Sequence, residues 1–101
     1  GLKRIGIDES LYTKIKPVLI LPAVAQGAIA VESRKNDTKI LEILKMINHQ
    51  RTKICTDMER HFLAELGGDC STPIAALAEI EDNKLFFKCL VAKSEDDPHI
   101  Y

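Results

Sequence analysis

The spacing of apolar residues changes once along this chain, across residues 66–73, and that change limits the folds open to it. Before it, Ile54, Met58, Phe62, Leu63 and Leu66 recur at the spacing of one helix face. Gly67 and Gly68 follow, and a glycine closes a helix because it enters the left-handed conformation freely. After the change, Ile74, Ala76, Ala78 and Ile80 alternate, and so do Leu85, Phe87, Cys89 and Val91. Alternation lays each set along one side of a strand. Asp82-Asn83 between them suits the two-residue turn of a hairpin. A helix followed by an antiparallel hairpin is an α+β arrangement.

Upstream, Asn36, Asp37 and Thr38 form a helix start, since their side chains can cap free N–H groups. Ile40, Leu41, Ile43, Leu44 and Ile47 follow at helical spacing, and Asn48 ends the run. The second helix is expected from about Gln50 to Leu66, with Arg51 mildly opposing its dipole. Residues 10–16 suggest a short helix. Val18–Leu21 reads as a strand stopped by Pro22, Gln26-Gly27 as a bend, and Ala28–Glu32 as a short buried strand. Ser94–Pro98 reads as a turn, and His99-Ile100-Tyr101 as the start of a further strand. One helix on a two-stranded hairpin is barely a core, so the pattern is that of a piece of a larger protein.

The 101 residues suffice for one small domain at most. The formal charge of −1 argues against the basic face of a nucleic-acid binder, while leaving room for local basic patches that take small acidic ligands. The longest apolar stretch, Pro17 to Val31, is interrupted by Pro22, Gln26 and Gly27, short of the roughly 20 apolar residues of a membrane span. Nothing at the start reads as a secretory leader. The three cysteines, Cys55, Cys70 and Cys89, are an odd number and too widely spaced for paired zinc ligands. A reduced, cytoplasmic setting is the expectation.

Cys70, in "LGGDCSTPIA", is the foremost chemical candidate, because a thiolate is the strong nucleophile of proteins near neutral pH. It follows a helix C-terminus and stands beside Asp69, neither of which lowers a thiol pKa. A buried small hydrophobe is the alternative reading of Cys70, and core filling is the reading of Cys55 and Cys89. His49, His61 and His99 lack partners at ligand spacing, and no metal is expected. Glu59-Arg60-His61 reads as a partly solvated helix face. Lys3 and Arg4 read as a solvated surface pair, or as a site for an acidic ligand, arginine being the better carboxylate clamp. Gln26, polar within an apolar stretch, needs a hydrogen-bond partner in the protein or in a ligand.

Four blocks of the chain resemble the porphobilinogen deaminases, also called hydroxymethylbilane synthases. "GLKRIGI" resembles the end of that family's second domain. "LPAVAQGAIAVESR" resembles its LPAVGQGAxxxExR segment. "NHQRTKICTDMERHFLAELGGDC" resembles its NHxxTxxxxxxERxFLxxLxGGC helix and loop, and "STPIAALAEIEDNKLFFKCLVA" the hairpin that follows. The resemblance implies a C-terminal fragment. Residues 1–21 would end domain two. Residues 22–47 would hold a hinge (22–27) and the return segment of domain one. Residues 48–101 would form a truncated, cofactor-carrying C-terminal domain. The implied fold is an α+β C-terminal domain with antiparallel strands packed on helices, preceded by pieces of two N-terminal α/β domains.

The resemblance also implies a chemistry. Cys70 would carry a dipyrromethane cofactor through a thioether, formed when the thiol traps the electrophile left as porphobilinogen loses ammonia. Four porphobilinogen units would then add head to tail, and water would release hydroxymethylbilane. Arg4 would face the acidic side chains of cofactor or substrate, and Gln26 would lie at the hinge beside the cleft. The implied partners are porphobilinogen, the growing polypyrrole chain and the N-terminal domains of the same protein, with neither nucleic acid nor membrane. The family's catalytic aspartate falls outside these 101 residues, so this chain alone is expected to be inactive. Two positions depart from the pattern: Ala25 stands for the usual first glycine of GQG, and Asp69 stands where a glycine is expected. Other classes stay open. They are a non-enzymatic binding module, a structural fragment with a buried unmodified Cys70, and a thiol switch pairing Cys70 with Cys55 or Cys89.

Overall fold

The computed structural model describes residues 1–67 and 73–92. A single 3₁₀ turn at Glu9–Leu11 is followed by helix α1 (Thr38–Ile47), helix α2 (Gln50–Glu65) and strands β1 (Ile74–Glu81) and β2 (Lys84–Val91). The arrangement is α+β. Cys70, Asp69 and Gly68 lie outside the described residues, as do the expected turn at Ser94–Pro98 and the strand at His99–Tyr101.

Each helix starts where a side chain satisfies a free backbone donor. The Asp37 carboxylate accepts from the Ile40 N–H at 3.1 Å, so α1 is capped as its sequence predicts. His49 caps α2: its Nδ1 accepts from the Thr52 N–H at 3.3 Å. Asn48 and His49 alone separate the two helices. At the other end of α2 the chain turns at Gly67, whose φ is +67°, and its N–H donates to the Ala64 carbonyl at 3.0 Å.

The two strands pair antiparallel, from Ile74 opposite Val91 to Glu81 opposite Lys84. The turn is Asp82-Asn83, with φ of +48° and +59°. Positive φ at both positions is the type I′ form of a two-residue hairpin turn, and Asp and Asn tolerate it better than other non-glycine side chains. Helix α2 packs against β1. Ile74, Ala76 and Ala78 are buried beneath it, on the strand face that alternation predicts. Phe62 of α2 meets Phe87 of β2 edge to face, with ring centres 5.1 Å apart.

Two expected strands are absent. Val18–Leu21 forms a turn in which the Leu19 N–H donates to the Lys16 carbonyl at 2.9 Å, and Val18, Leu19 and Ile20 are exposed. Residues 28–32 have no regular structure and are exposed, with Ile29 at 89%. A strand needs a partner edge. Beside β1 that edge is met by a short stretch, where Ala23 forms one antiparallel bridge with Ala75.

Candidate functional site

The outer edge of β1 lines an open cavity among the described residues, called the main cavity below. Alternate residues of an edge strand turn their N–H and C=O groups away from the paired neighbour. On β1 these are Ala76, Ala78 and Ile80, and each finds a different partner. The Ala76 N–H donates to the Pro22 carbonyl at 3.2 Å. The Ala78 N–H donates to Glu59 Oε1 at 2.8 Å. The Ile80 carbonyl accepts from Arg51 Nη2 at 2.6 Å. A backbone segment and two side chains of α2 thus replace a third strand.

Glu59 is the centre of this arrangement. It is 5% exposed, a buried carboxylate in the described chain. Its second oxygen, Oε2, accepts from the Ala25 N–H at 2.7 Å. Burying a carboxylate is costly unless hydrogen bonds replace its water, and bonds to an ionised group are the strong ones. Of the expected partly solvated face, Arg60 and His61 are exposed, whereas Glu59 is buried because free backbone donors draw its carboxylate inward. The buried face of α2 is correspondingly turned toward Cys55, Glu59, Phe62 and Leu63, while Ile54, Met58 and Leu66 of the expected stripe are exposed. Arg51 also does more than oppose the helix dipole, since it holds the far end of β1. A signal for Glu59 was available in its spacing, four residues after Cys55 and three before Phe62, on a face otherwise able to bury.

The cavity beneath residues 25–28 measures about 600 Å³ and is walled by Gln26, His49, Arg51, Cys55, Glu59 and Ile80 among others. Burial pushes the Cys55 thiol above its ordinary pKa, and the negative charge of Glu59 adds to this while Arg51 opposes it. A thiol so placed is a poor nucleophile. Cys55 and Cys89 are both free and partly buried, and Cys89 sits opposite Ala76 in the hairpin.

Of the residues singled out from sequence, Gln26 and Arg4 line separate cavities. Gln26 lines the main cavity, and its Oε1 accepts from the Ala23 N–H at 3.2 Å, so its partner is the turn it belongs to. Arg4 lies on an exposed N-terminal turn and lines a separate cavity of about 540 Å³ with Lys3 and Tyr12. Lys3 pairs loosely with Glu9 at 3.9 Å, whereas Arg4 makes no ion pair among the described residues. Two cations beside a phenol are a donor set suited to carboxylate ligands. Cys70 lies outside the described residues. Among the described residues no group of three His, Cys, Asp or Glu side chains is placed to hold a metal. No described helix is long and apolar enough to cross a membrane.

Known proteins account for most of the chain. Residues 1–42 match the family model described as porphobilinogen deaminase, dipyromethane cofactor binding domain. Residues 53–100 match the model described as porphobilinogen deaminase, C-terminal domain. A porphobilinogen deaminase of Syntrophomonas wolfei is 44% identical over 92 residues, covering 91% of this chain and 30% of that protein. One from Roseiflexus sp. is 40% identical over 91 residues, covering 90% of this chain and 30% of the relative. One from Limosilactobacillus reuteri is 41% identical over 101 residues, covering 99% and 33%. The chain thus spans about a third of the length of these relatives.

Proposed function

The chain belongs to the porphobilinogen deaminase family, and from that premise we propose that Cys70 carries a dipyrromethane through a thioether bond. The natural protein then joins four porphobilinogen molecules head to tail into hydroxymethylbilane, with release of ammonia. The observation that carries this reading is the order of the two family matches along one chain. Arg4 and Gln26 fall within the stretch matched to the cofactor-binding domain, and Cys70 within the stretch matched to the C-terminal domain. When bound, the cofactor supplies a fixed primer for the pyrrole chain.

The chain's own residues take supporting roles. The Arg4 guanidinium, exposed and without an ion pair among the described residues, orients acetate and propionate groups by paired hydrogen bonds. Gln26 stabilises the turn at 22–27, the proposed hinge between residues 1–21 and the return segment 28–47. Residues 48–101 carry the cysteine. The exposed face of α1, with Ile40, Ile43, Met46 and Ile47, supports partnership with further domains of the same protein. A cytoplasmic setting keeps the thiol reduced.

Activity measurements test the reading. In the natural protein, Cys70→Ala should reduce hydroxymethylbilane formation to background, because the anchor for the pyrrole chain is gone. Undiminished formation would remove Cys70 from the chemistry and favour a buried, unmodified thiol. The 101-residue chain alone should consume no porphobilinogen, and measurable consumption would overturn its proposed inactivity.

A further inference from the structure

We propose that Glu59 and Ala25 form a latch that holds residues 22–27 on the outer edge of β1 and thereby sets the opening of the main cavity. Ala25 has a φ of +56°. That left-handed conformation is easy for glycine and unfavourable for alanine. The strain must be offset by something the conformation gains. What it gains is the bond from its N–H to Glu59 Oε2, at 2.7 Å, between residues 34 apart in the chain. The other oxygen of the same carboxylate holds the Ala78 N–H at 2.8 Å. One buried side chain thus fastens the turn to the strand.

A second attachment lies next to the first. The Ala76 N–H donates to the Pro22 carbonyl at 3.2 Å, and Ala23 bridges Ala75. Within the turn, the remaining bonds are local: Gln26 N–H to the Ala23 carbonyl at 3.1 Å, Ala28 N–H to the Ala25 carbonyl at 3.3 Å, and Ala23 N–H to Gln26 Oε1. These keep the turn's shape without tying it to the sheet. Losing the Glu59 contact would leave a strained residue with no offset, and the segment would leave the edge as a unit. Residues 25–28 wall the cavity that also holds Cys55, so release widens it. The latch stands on this geometry and does not depend on what Cys70 carries. Glu59 acts through the backbone it holds and is a positioning residue.

Amide hydrogen exchange in the natural protein distinguishes a latch from general stabilisation. Ala76 and Ala78 face outward, so alternation turns the Leu77 amide toward β2. Ala76 makes no bond to Glu59, and its response reports coupling. Glu59→Gln keeps the shape but loses the charge and one acceptor. It should speed exchange at both Ala76 and Ala78 by about tenfold, with Leu77 unchanged. Ala25→Gly removes the strain and should slow exchange at Ala76 by about threefold or more. Equal acceleration of all three amides in Glu59→Gln would overturn the latch, and so would a change confined to Ala78. If Glu59→Gln does not fold, Ala25→Gly decides alone, and unchanged or faster exchange at Ala76 overturns the proposal.

Discussion

At position 59 a carboxylate occupies the place in the contact between α2 and β1 that an apolar side chain would ordinarily fill. Its polarity gives no hint of this, because the reason lies in the backbone of distant residues. Two N–H groups, at Ala25 and Ala78, stand within reach only once the turn and the strand are in place. The same surroundings make a testable statement about Cys55. Burial, then the charge of Glu59, raises its pKa. Above the ordinary thiol pKa the unfolded chain loses this proton while the folded chain keeps it. The unfolded state then binds fewer protons, so stability falls as pH rises through that range. Below it the thiol is neutral in both states and contributes no pH dependence. Accordingly, iodoacetamide at pH about 8 should label Cys55 at least about threefold more slowly than a free thiol. Mass analysis of the tryptic peptide Ile54–Arg60 measures it, and labelling as fast as a free thiol would contradict the burial described.

Helices and hairpin were legible in the sequence because their signals are local. Asp37 caps within four residues, Gly67 closes within three, and Asp82-Asn83 supports positive φ wherever two alternating runs meet across it. The segments at 18–21 and 28–32 were not legible, for the complementary reason. Apolar composition marks a stretch as able to pair but not where it would pair, and β1's outer edge is taken by Pro22, Glu59 and Arg51. The site residues divide the same way. Gln26 was found because a polar group in an apolar run needs a partner, whereas Arg4 and Gln26 fall in separate cavities that no local pattern foretells. The capping claim is checked at α1. Asp37→Ala removes the acceptor for the Ile40 N–H and a negative charge at the helix start, at a cost of about 1 kcal/mol. Far-ultraviolet circular dichroism and a urea titration should show lower helicity and an earlier midpoint. An unchanged midpoint would mean that α1 is held by other means.

As a whole the chain is extended for its length. Its radius of gyration is 16.5 Å, against about 13 Å for a compact chain of this length. Among the described residues the buried apolar side chains are Ile74, Ala76 and Ala78, while Ile29, Met46 and Leu19 are more than two-thirds exposed. Apolar surface of this kind marks a place where something else packs. The relatives that this chain matches are about three times as long. The central claim nevertheless rests on one sulfur atom. Trypsin should release Cys70 within the peptide His61–Lys84, separate from the peptides carrying Cys55 and Cys89. The direct measurement is the mass of that peptide from the natural protein supplied with porphobilinogen. A gain equal to two porphobilinogens less two ammonias is predicted, fixed to Cys70. An unmodified Cys70 in protein that is turning porphobilinogen over would contradict the account.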